Sequence, residues 1–180
     1  MVEFNVNAER IESRATWADL RLRAEQMAML RDLCRQARDD LTRGRGVAAL
    51  FVGERGAVTT AAEVIAGELE CDLLRIDLSR LVSKWIGETE KNLSRVFDAA
   101  EDGGAVLLFD EADVLFGERG EAKGGHDRFA NLDVDGLVEQ LESHQGVAIL
   151  ASNRSTNVEH ALRRRIRFVV EFPDEETSSV

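Results

Sequence analysis

The chain has 180 residues, of which 44% are apolar, enough for one domain with a sizeable core and too apolar for a disordered chain. Its 34 acidic and 23 basic residues leave a net charge of −11, which disfavours non-specific binding to nucleic acid or to acidic membranes. No apolar run approaches the roughly 20 residues of a membrane span, and the start "MVEFNVNAER" lacks a basic region followed by an apolar one. These features predict a cytoplasmic protein, with Cys34 and Cys71 as two free thiols in a reducing compartment.

Taken in chain order, residues 1–14 read as a flexible leader and 15–180 as one domain. Residues 24–42 place Met27, Leu30, Leu33, Cys34, Ala37 and Leu41 near helical spacing, predicting an amphipathic helix. Short apolar runs then alternate with amphipathic stretches. The predicted strands are 47–52, 72–77, 105–109, 147–151 and 167–172; the predicted helices are 59–70, 88–101, 128–143 and 156–164. Gly136 is a local cost inside the third of these helices. The Gly-rich, charged stretch 116–127 reads as a mobile loop. Strands of Val, Ile and Leu with little alternation suit a parallel sheet covered by helices on both faces. Ligands bind such sheets at the C-terminal ends of the strands.

Three stretches fall at those ends. "GERGAVTT", 53–60, lies between an apolar strand and a helix, where a phosphate-binding loop would read G-x-x-x-x-G-K-[ST]. Gly53 and Thr60 match, but Val58 stands at the second glycine and Thr59 at the lysine. "AVLLFDEAD" ends a buried strand in Asp110 and Glu111, with Asp113 beyond. Asp110 is a candidate magnesium residue, and Glu111 a candidate for orienting or activating an attacking water. "ILASN" puts the amide Asn153 after a strand expected beside the 105–109 strand; it is either a water- or phosphate-orienting group or ordinary turn chemistry. "RRRIRF", 163–168, has three readings: a solvated helix end, a nucleic-acid patch without interleaved aromatics, or arginine fingers reaching a neighbour's phosphate. "SKWIGETEKNL", 83–93, sets Trp85 and Ile86 just ahead of a helix start, as core or as an exposed grip.

Together with "LSRLVSKWIGETEKNLSRVFDAAE", "VLLFDEADVLFG", "HDRFAN" and "RRIRFVVEFP", these stretches resemble the AAA+ ATPases, specifically the bacterial-type domains of the AAA clade, from about residue 14 to 173. The resemblance implies a three-layer α/β P-loop NTPase fold with a five-stranded parallel sheet, assembled into hexameric rings that remodel proteins. It implies that Asp110 and Glu111 are the Walker B magnesium and water residues, Asn153 is sensor 1, and Arg164 and Arg167 are arginine fingers. Lys84, Trp85, Ile86 and Gly87 match the first pore loop, which grips a polypeptide; Asp127 and Arg128 fall near the second. Gly53, Gly56, Thr59 and Thr60 occupy the Walker A positions, with Thr60 and Asp110 for magnesium.

The family's loop reads like G-P-P-G-T-G-K-T, so Glu54, Arg55, Ala57, Val58 and Thr59 depart from it. A lysine's charge at about 4 Å and an effective dielectric near 20 contributes roughly 4 kcal/mol, about a thousandfold in affinity. The connection "TRGRG" before the first strand is shorter than in the family, and the helical lid that would follow the sheet is absent from the sequence to Val180. The expectation is weak Mg-ATP or ADP binding with impaired hydrolysis. Alternatives are a competent hydrolase and a non-catalytic subunit that lends its arginines to a ring. The expected partners are proteins, either copies of this chain, related AAA+ subunits or a polypeptide substrate, with no nucleic acid and no membrane.

Overall fold

The computed structural model describes residues 8–81, 88–101, 104–116, 134–153 and 162–173. Six strands form one sheet: β1 (Ala8–Ile11), β2 (Val47–Val52), β3 (Leu73–Asp77), β4 (Val106–Asp110), β5 (Val147–Ser152) and β6 (Phe168–Glu171), in the spatial order β1-β3-β4-β5-β2-β6. The five predicted strands are all present and pair in parallel. The sixth was not expected. Ala8–Ile11, inside the stretch read as a leader, pairs antiparallel with Leu73–Ile76 as an edge strand. Its alternation is weak, and only its partner's open edge reveals it.

The helices are α1 (Ala24–Leu41), α2 (Arg55–Glu68), the single turn α3 (Leu78–Leu81), α4 (Glu88–Glu101) and α5 (Val134–Ser143). A further helical turn covers residues 162–165. The strand period of two sends alternate side chains to opposite faces. Val47, Ala49 and Phe51 of β2 pack with Leu30, Leu33 and Ala37 of α1 and Ala61, Ala62 and Ile65 of α2. Ala48 and Leu50 join Leu93, Val96 and Phe97 of α4 and Leu137, Val138 and Leu141 of α5. This gives three layers, helix on sheet on helix, as expected.

Residues 12–20 run along α2. Glu63 accepts the amides of Arg14 and Ala15, each at 3.2 Å, and Glu68 accepts the Trp17 indole N–H at 3.0 Å. Two predicted helices are described only in part: residues 128–133 and 156–161 lie outside the described set.

The one difference that bears on function concerns α2. It was expected from residue 59 and begins at Arg55, with Glu54 as its N-cap. One extra turn of helix therefore occupies the sequence expected as a phosphate loop. With valine at the motif's second glycine, Gly56 is the one helix-weakening residue left within 54–58, and Val58 gains a place in the core.

Candidate functional site

The C-terminal ends of β2, β4 and β5 bring Gly53, Asp110 and Ser152 to the same side of the sheet. Gly53 has φ +153°, and a Cβ added there would lie 2.6 Å from the Phe172 Cβ. Glycine is thus required, because the chain leaving β6 crosses it closely; the Phe172 amide donates to the Val52 carbonyl at 2.7 Å. Gly56 has no such constraint: a Cβ there would meet only the Glu54 carboxylate, at an ordinary 3.5 Å.

Val58 is buried in the core beneath α2, and its amide donates to the Glu54 carbonyl at 3.1 Å. In a helix that starts at Arg55, the amides from Val58 onward bond carbonyls one turn back. Only those of the first turn remain open to an anion. The Thr60 hydroxyl donates to the Gly56 carbonyl at 2.9 Å. Thr59 is half-buried on the same helix and offers no cation.

Asp110 is 6% exposed. Its Oδ1 accepts the Glu111 amide at 2.9 Å, and Glu111 itself takes a left-handed φ of 57°. Its Oδ2 faces Arg55 Nε at 2.8 Å and Arg75 Nε at 3.4 Å. Asp113 secures the neighbouring strand end: its carboxylate accepts the Ser152 hydroxyl at 2.6 Å and the Asn153 amide at 3.0 Å. Asn153 is exposed.

A magnesium-nucleotide site needs open backbone around the phosphates and a carboxylate oxygen free for metal or its water. Here the loop is helical, the Thr60 hydroxyl is engaged by backbone, and the buried oxygen of Asp110 faces two guanidinium groups. In this arrangement the residues present do not fit the metal-nucleotide group. A cleft of about 480 Å³ remains beside the start of α2, lined by Asp19, Arg21, Glu54, Ala57, Thr60 and Phe172, among others. Its two carboxylates disfavour an anionic guest on that side.

Arg164 lies on the helical turn at 162–165, and Arg167 immediately precedes β6. β6 runs parallel to β2, so Arg167 sits at the opposite end of the strands from Asp110. Both are exposed; the Arg167 guanidinium donates to the Gln36 amide oxygen at 3.2 Å and lies 5.2 Å from the Phe168 ring centre. Within one chain Arg167 does not meet the Asp110 carboxylate. Lys84, Trp85, Ile86, Gly87, Asp127 and Arg128 lie outside the described residues.

Arg55 and Arg75 were missed from sequence. Arg75 carried a readable signal: a charge inside the apolar strand "LLRID" needs a buried partner. Arg55 carried none, since it registered only as a mismatch in the loop.

The family model for the "ATPase family associated with various cellular activities (AAA)" matches residues 49–174. The chain belongs to the AAA family of ATPases. An "Uncharacterized AAA family ATPase y4kL" of Sinorhizobium fredii is 32% identical over 180 residues, covering 96% of this chain and 54% of that protein. "Cell division protein C" of Sulfolobus acidocaldarius is 32% identical over 127 residues, covering 64% of this chain and 34% of its own length. The "Cell division cycle protein 48 homolog" of Archaeoglobus fulgidus is 31% identical over 124 residues, 66% of this AAA chain and 17% of the relative. This AAA chain thus spans between about a sixth and a half of these relatives. No helix among its described residues is long and apolar enough to cross a membrane.

Proposed function

We propose that this chain is an AAA domain in which nucleotide binding and hydrolysis are impaired, and which acts through contacts with other protein subunits. The observation that carries the reading is the helix running from Arg55 through the Walker A positions, with Val58 turned into the core and no cation at Thr59. An arginine finger contributes about 10³–10⁵ in rate only once nucleotide is bound, so an intact Glu111 or Asn153 does not compensate for this loss. The exposure of Arg164 and Arg167, the latter at the far end of the strands from Asp110, favours a role toward a neighbouring subunit's nucleotide. Partners are then copies of this chain or AAA relatives in a ring, and the pore-loop residues Lys84 to Gly87 would face a polypeptide.

Titrating Mg-ATP against the unaltered chain and against Val58→Gly/Thr59→Lys tests this. No binding in the micromolar range is expected for the unaltered chain, and a gain approaching a thousandfold for the double variant. Micromolar binding by the unaltered chain refutes the reading. Sedimentation with a competent AAA relative tests the partner role: a strict monomer under all conditions argues against arginines donated to a neighbour.

A further inference from the structure

The strand ends carry a second departure from a metal site. Asp77 and Asp110 are register partners at the C-terminal ends of β3 and β4. Two carboxylates thus stand side by side where two parallel strands finish. Asp110 is more than nine-tenths buried, and its Oδ2 has no solvent contact and no aligned hydrogen bond. An ionised carboxylate in such a place is strongly unfavourable unless a cation accompanies it. Arg55 Nε at 2.8 Å and Arg75 Nε at 3.4 Å supply two charges to that one oxygen. Arg55 also acts on Asp77: its charge, with that of Arg80, adds to the Ser79 hydroxyl bond that is the main cause holding the Asp77 carboxyl below its ordinary value. Arg75 extends the pairing to Glu9 on the edge strand, at 3.9 Å. Among the described residues, no group of three or more His, Cys, Asp or Glu side chains could bind a metal in their stead.

We propose that Arg55 and Arg75 are the resident counter-cations of Asp110, a guanidinium latch that fastens the start of α2 to β3 and β4 and neutralises the strand-end carboxylates without metal. The inference rests on the reading above that this site does not take Mg-nucleotide, and it names what stands in the metal's place. Arg55 is contributed by the altered loop itself, and Arg75 by β3.

The test is thermal melting of the full chain and of Arg55→Gln, Arg55→Lys, Asp110→Asn and Arg55→Gln/Asp110→Asn. Each is melted in millimolar MgCl₂ or MnCl₂ and in NaCl of equal ionic strength. Arg55→Gln and Asp110→Asn are each expected to lower Tm by roughly 5 °C, and the double variant by little more than either alone. Arg55→Lys should recover part of the loss. Metal alone should leave the Tm of the unaltered chain unmoved. An additive double variant, a rise in Tm on Asp110→Asn, or stabilisation of the unaltered chain by Mn²⁺ overturns the latch. If a substituted chain does not fold, the metal titration of the unaltered chain still decides, since a shift there refutes the proposal. ATP binding is read separately. Nucleotide bound by the unaltered chain alongside a coupled Arg55–Asp110 pair refutes the impaired-site reading and leaves the latch. No nucleotide alongside additive variants does the reverse.

Discussion

Replacing Val58 by glycine restores the family residue at its Walker A position, and the structure says it will weaken the fold. Val58 is 2% exposed and packs with the α1 and β2 side chains beneath α2. Removing a fully buried valine side chain costs about 2 kcal/mol in lost burial. Glycine in a helix adds up to about 1 kcal/mol in backbone freedom. The sum is about 3 kcal/mol, or a Tm lower by roughly 6–12 °C for a domain of this size. Urea unfolding followed by circular dichroism should show a lower midpoint with an unchanged slope. A Val58→Gly chain as stable as the original, to within about 0.5 kcal/mol, refutes the reasoning. It would mean that residue 58 faces an open loop and that the first turn of α2 is not formed in solution.

Gly53→Ala should destabilise the domain by about 2–3 kcal/mol, because alanine at φ +153° is strained and its methyl meets Phe172; chemical denaturation measures it, and a neutral outcome would show that the crossing at Phe172 gives way. Burial pushes the Cys34 thiol up to about 11 and also raises Cys71. At pH 8, Cys34 should hold on the order of 100-fold less thiolate than an ordinary cysteine and be alkylated mainly through unfolding, which a labelling time course with and without urea will show. The depressed carboxyl of Asp77 adds stability that is present above its unfolded value near 3.8 and lost as pH falls through its lower folded value. Ser79→Ala should therefore flatten the acid limb of the stability–pH curve and lower stability at neutral pH.

The sheet was legible because burial on both faces leaves a direct trace, as in "VAALFV" and "VAILA". Burial does not give strand order, and only one neighbour pair is expected from sequence, the 147–151 run beside the 105–109 run; β4 and β5 do pair. The edge strand left no such trace, since only part of "AERI" is covered, with Glu9 and Arg10 exposed. In the site, sequence located Asp110 and its surroundings but not its charge partners. A loop compared with a motif shows what is lost, here Lys and Gly. What the substituted residues do instead depends on a helix starting four residues earlier and turning Arg55 over the strand ends. In sequence Asp113 is one more carboxylate; in the fold it fixes both Ser152 and the backbone of Asn153.

The antiparallel strand β1 has a consequence for how the protein behaves in bulk solution. β3 would otherwise present a row of bare amides and carbonyls flanked by Leu73, Leu74 and Ile76, a template on which another chain's strand can stack. β1 occupies that row over four residues, and Arg10 ties it down at 2.7 Å from Asp72. The new outer edge it creates is short and carries exposed charge of both signs, which discourages edge-to-edge association. A chain trimmed to begin at Glu12 would lose that cover, and its fate at high concentration would be set by intermolecular stacking rather than by the stability of its core.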